Sequence, residues 1–238
     1  MTTDFNHAAV KPVECLKSGY ALVKDQYRLF VLISFVAMLV GGALPFGILL
    51  GPMFCGLYLC LFARMRGERV KFELLFKGFD LFKQSVLAGI IQTAPMFILM
   101  FLAFIPMMAM PMLLQSGGHR GRVEPAALVG VFAGMFGFMF VAILVGSVIS
   151  LLFAFSYPLI VERNLSSVEA IKTSMKAVFA NLGGMLGLFL LNFLIGILAM
   201  PLCCVGVYLV VPITMASYAM AYRSIFPELT LSTSPPVP

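Results

Sequence analysis

Four stretches of this chain carry no charged residue, and each is long enough for a helix to cross a bilayer: Leu29–Ala63, Gln84–Gly118, Pro125–Val161 and Ala177–Tyr222. About 20 apolar residues span the ~30 Å of hydrocarbon. A soluble chain of 238 residues has too little interior to hide four such runs. Composition agrees: 61% of residues are hydrophobic and 11% charged, against roughly 45–50% and 25% in soluble domains. The chain reads as an all-α integral membrane protein. A membrane barrel would instead alternate in segments of about 10 residues.

The runs divide at their turn residues. Gly41–Pro45 splits the first into arms at 29–44 and 46–63. Such arms reach only ~24 Å at 1.5 Å per residue, so this tight hairpin either thins the bilayer or is re-entrant. The second run gives a span at about 85–114 with Pro95, Pro106 and Pro111, where kinks are expected. The third, about 126–161, would be ~54 Å of straight helix and must tilt, kink or project. The last divides at Pro201–Gly206 into 182–200 and 205–222.

Six spans in three hairpins put fourteen of the 16 Lys and Arg on one side, with only Arg120 and Arg122 opposite. The positive-inside rule then makes both termini cytoplasmic. Splitting the third run in two would move Arg163, Lys172 and Lys176 outside, so it is read as one span. The first run is far too long for a signal-peptide core and is expected to stay as an anchor. Residues 1–11 read as a mobile N-terminus, 12–225 as a single six-helix domain and 226–238 as a disordered tail.

A pattern recurs ahead of each hairpin. A Glu is followed at +2, +6, +9 and +13 by large apolar residues: Leu16, Tyr20, Val23 and Tyr27 after Glu14; Leu75, Phe79, Phe82 and Val86 after Glu73; Ile171, Met175, Val178 and Leu182 after Glu169. These offsets mark one face of an α-helix. The other four glutamates, Glu68, Glu124, Glu162 and Glu228, lack it. Pro52, Tyr58 and Arg64 correspond to Pro212, Tyr218 and Arg223 to within one residue, with Tyr157 and Arg163 similar. The expectation is a threefold repeat with units at about 12–66, 71–163 and 167–225. Each unit is one amphipathic interfacial helix followed by two spans. Pro12 with Glu14, and the S-x-x-E box Ser166–Glu169, supply the starts of two of these helices.

No ionisable residue lies mid-span, which argues against ion-coupled transport. Gln92 and Asn192 are the notable polar residues there, as interhelical hydrogen-bonding groups or path-lining groups. Gly130 and Gly134, and Gly183 and Gly187, have the spacing of helix-packing faces. Lys17, Lys24, Lys77, Lys83, Lys172 and Lys176 are candidates to meet lipid phosphates. Span 3 is rich in methionine (Met96, Met100, Met107, Met108, Met110, Met112), and Cys203–Cys204 lies at the same outer face. Thioethers suit soft metals, but methionine is spread through the chain and packs well, and His119 has no partner at ligand spacing. No metal or cofactor is expected. The five cysteines imply no disulfide framework. Walker-type glycine loops, H-E-x-x-H and G-x-S-x-G are missing, so no enzyme is expected.

Leu75–Phe82, and Ser167–Ser174 followed by Asn181, resemble elements of the YciC-like bacterial membrane proteins and of the membrane half of some glycerophosphodiester phosphodiesterases. The resemblance covers about 12–225. It implies a six-helix inner-membrane domain without established catalytic residues. The function expected is a non-enzymatic one: scaffolding, lipid association or stabilisation of a partner, the alternative being a permease or channel for a small or apolar solute. Membrane lipids, a second copy or another membrane protein are the candidate partners, and nucleic acid is not among them.

Overall fold

A computed structural model describes residues 5–44, 47–116 and 125–227, and among them every regular element is helical. In chain order these are α1 (Pro12–Val23), a 3-10 turn (Lys24–Gln26), α2 (Tyr27–Gly42), α3 (Leu50–Met65), a 3-10 helix (Phe72–Leu81), α4 (Phe82–Ser116), α5 (Pro125–Leu152), α6 (Ser156–Arg163), α7 (Ser167–Ala180), α8 (Leu182–Ala199), a 3-10 turn (Met200–Leu202) and α9 (Cys203–Ile225). Among the described residues, three stretches are long and apolar enough to cross a membrane: Phe72–Leu102, Phe132–Arg163 and Leu182–Ala199. The chain forms two compact units, residues 1–89 with 151–238, and residues 90–150.

Local signals set the helix ends. Pro12 occupies the first turn of α1, with Glu14 beside it at the positive end of the dipole. Ser166 caps α7, its Oγ accepting from the Glu169 N–H and donating to the Glu169 carboxylate. After α3 the chain turns at Gly67, whose φ of 80° suits a residue without Cβ.

One expectation needs correction. Residues 72–81 follow the apolar periodicity but wind as a 3-10 helix, not an α-helix. In a 3-10 helix side chains three apart eclipse, and the sequence places Phe76, Phe79 and Phe82 at that interval. Their rings stack, with centroids 6.5 and 6.3 Å apart and near-parallel planes. The long run at 126–161, expected to tilt, kink or project, is interrupted once and still reads as one candidate span, Phe132–Arg163. It breaks at Phe153–Phe155, and α6 resumes with eight residues, too few to cross a bilayer again.

The larger unit holds the core. Phe62, Phe155, Tyr222 and Phe226 form an aromatic cluster with ring centroids 5.0–6.1 Å apart. Phe155, Tyr222 and Phe226 are fully buried, as is Phe30 elsewhere in this core. Such pairs add roughly 0.5–1.5 kcal/mol each beyond their buried area. In the smaller unit no described side chain is buried. A close approach there is Gly146, where an added Cβ would meet Met96 at 3.0 Å.

Candidate surface and buried charge cluster

The three elements that begin with the Glu pattern are seated in the same way. Five residues after each Glu stands a small, buried residue: Gly19, Gly78 and Ser174. A Cβ on Gly19 would lie 2.7 Å from Ser217 N and 2.9 Å from the carbonyl carbon of Ala216 in α9. One on Gly78 would lie 2.1 Å from Pro52 O and 2.5 Å from Gly56 N in α3. Ser174 Oγ donates to Leu152 O at 2.7 Å and accepts from Phe155 N at 3.1 Å, at the break before α6. Ala216, Gly56 and Phe155 each stand two residues before a tyrosine: Tyr218, Tyr58 and Tyr157. Tyr58 lies within electrostatic reach of the other two. α1 therefore packs on α9, the 3-10 helix Phe72–Leu81 on α3, and α7 at the break before α6.

The opposite faces look outward. Lys17, Lys24, Lys77, Lys83, Lys172 and Lys176 are all exposed. So are Val13 and Tyr20, Phe76 and Phe82, and Val168 and Phe179 on the same elements. Exposed apolar side chains beside lysines have the character of a helix that lies in a lipid interface. Cys15 faces inward on α1, and burial pushes its thiol above the ordinary range.

The arginines that end the three closing helices make specific contacts. Arg64 donates from Nη2 to Asp25 at 2.6 Å and from Nε to Leu22 O at 3.2 Å. Arg223 pairs with Glu162, both side chains being about 15% exposed, and lies 4.8 Å over the Phe62 ring. Arg163 lies 5.1 Å over Phe226. A pair withdrawn from water this far is costly to break, because one charge would be left uncompensated. The sequence reading missed Glu162, which lacks the apolar pattern that marked the other glutamates.

The remaining candidates are dispersed. Asn192 is buried in α8; its Nδ2 donates to Leu188 O and to Ser217 Oγ, both at 3.0 Å, joining α8 to α9. Gln92 is half-buried in the smaller unit. Added Cβ atoms on Gly130, Gly134 and Gly183 would meet nothing within 4 Å. Gly187 faces Pro12 at 2.8 Å, and its neighbour Gly184 approaches Val10 O still more closely, at 2.4 Å. Cys15, Cys55 and Cys60 are buried free thiols. His119, Arg120 and Arg122, and the side chains of Met107, Met110, Met112, Cys203 and Cys204, lie outside the described residues. Comparison with models of known families, with curated proteins and with solved structures yields no match to this chain.

Proposed function

We propose that this chain is a non-enzymatic scaffold of the bacterial cytoplasmic membrane, with six spans, both termini cytoplasmic, and three repeated units. Its three surface elements lie on the cytoplasmic leaflet, where they associate with anionic lipid and organise the hairpins behind them. The observation that carries this reading is the shared seat at Gly19, Gly78 and Ser174. Each seat fixes the element's rotation, so the lysines and exposed apolar groups face away from the protein. On an anionic surface each such lysine contributes about 1 kcal/mol. The resemblance to YciC-like proteins points the same way. Against the permease reading, Asn192 is engaged in joining two helices rather than facing a path.

Cysteine accessibility tests the placement. Lys77→Cys in otherwise intact cells is expected to resist a membrane-impermeant maleimide and to label once the cytoplasmic face is opened. Labelling from outside would overturn the topology and the lipid-facing role together.

A further inference from the structure

The seat of α1 has open space beside it. Between α1 and the ends of α3 and α9 lies an open hollow of about 540 Å³, lined by Ser18, Ala21, Leu22, Met65, Met220 and Arg223. Ser18 and Ala21 are the α1 residues on its border, and their short, exposed side chains leave its mouth open.

We propose that this hollow binds the phosphate headgroup of an anionic phospholipid, with the upper part of an acyl chain along its methionine wall. The volume is within the ~300–1,000 Å³ of ordinary small-molecule sites. Its walls are apolar at Leu22, Met65 and Met220, and polar at Ser18 and Arg223. Arg223 lines it and is paired with Glu162, and Arg64, bonded to Asp25 and to the carbonyl of the lining residue Leu22, stands beside it. Exposed Lys17 and Lys24 flank the lining residues on the same strand of chain. Guanidinium groups suit phosphate oxygens in both geometry and charge. A lipid is favoured over a free phosphate because the apolar wall would have no partner in the latter case. The assignment deepens the surface placement proposed above and rests on it.

The test uses the full chain in mild detergent, with lipid binding read by native mass spectrometry. Phosphatidylglycerol is expected to bind about tenfold more tightly than phosphatidylcholine, a difference of about 1.4 kcal/mol. Ala21→Trp, which fills the hollow, and Ser18→Glu, which adds an anion, should each erase that preference. Ser18→Lys, which adds a cation at an exposed position, should enhance it, a gain that misfolding cannot imitate. Unchanged preference in all three variants would overturn the site. Displacement of phosphatidylglycerol by millimolar inorganic phosphate would overturn the lipid in favour of a soluble phosphate. Should Lys77→Cys stay protected while the Ser18 variants bind like the parent, the hollow alone is wrong and the surface placement stands.

Discussion

The two units keep their apolar residues in opposite ways. In the unit formed by residues 1–89 and 151–238, large side chains such as Phe30, Phe155 and Tyr222 are fully buried and helix backbones touch. In residues 90–150 the same kinds of side chain stand outward: Phe101, Phe136 and Phe140 are each more than 60% exposed. A helix that is apolar all round needs protein or lipid on every side. The comparison teaches that one unit is specified by shape, atom against atom, while the other is specified mainly by hydrophobicity and length. In the second, hydrocarbon can serve where the first uses a core.

The sharpest way to break this contrast is to add the same side chain to a glycine in each unit. Gly78→Leu places atoms where Pro52 O and Gly56 N already are, and an overlap with two backbones has no flexible neighbour to yield. Loss of about 3 kcal/mol or failure to fold is expected. A Cβ at Gly134, inside α5, would meet nothing within 4 Å, so Gly134→Leu should cost nothing and gain up to about 1 kcal/mol of helix propensity. Equilibrium unfolding in detergent micelles reads both, and equal costs would end the distinction.

A second substitution probes charge rather than shape in the first unit. Glu162→Gln leaves Arg223 without its carboxylate and is expected to cost about 3 kcal/mol. Replacing both partners by methionine should restore most of that stability, since no charge is then stranded. A double variant no better than the single one would show that packing around Glu162, not its charge, was lost.

The smallest expected effect sharpens the description of the α1 seat. Maleimides react with thiolate, and burial raises the Cys15 pKa above its ordinary value of 9.0. Ionisation therefore begins at higher pH in the folded chain. Labelling of Cys15, followed by peptide mass spectrometry, should be slow at neutral pH and keep climbing beyond about pH 9. A cysteine placed at exposed position 18 should level off earlier. Matching profiles would mean that α1 is not seated on α9.

Much of the fold is legible in the letters, for reasons that differ from element to element. Length and lack of charge place helices at Tyr27–Gly42, Leu50–Met65, Leu182–Ala199 and Cys203–Ile225 within a few residues of expectation, because continuous apolar runs leave turn residues as the only breaks. The capping box at Ser166 is a local signal and appears where expected. The 3-10 winding of Phe72–Leu81 was hidden because spacings of three and four coexist in its apolar pattern. The break at Phe153–Phe155 has a local cause in Pro158, which cannot bond back to the Ala154 carbonyl, and a distant one in Ser174, which binds both sides of it. The seats are harder to read, because Gly19, Gly78 and Ser174 carry no hydrophobic signal of their own. A small residue at the same offset in three bulky patterns was the available signal. The charge cluster was less legible still, since nothing near Glu162 in the chain announces Arg223, 61 positions on.

The seat of α1 on α9 also sets a schedule. Gly19 leaves the ribosome long before Ser217 exists, and at ~5–20 residues per second the interval is about 10–40 s. Throughout that time the inward face of α1, with Cys15, Gly19 and Val23, has no docking surface. The first element to be made must therefore wait, on the membrane or in the hold of a chaperone, until the last helix is threaded. Any lesion that slows insertion of α9 will lengthen that wait.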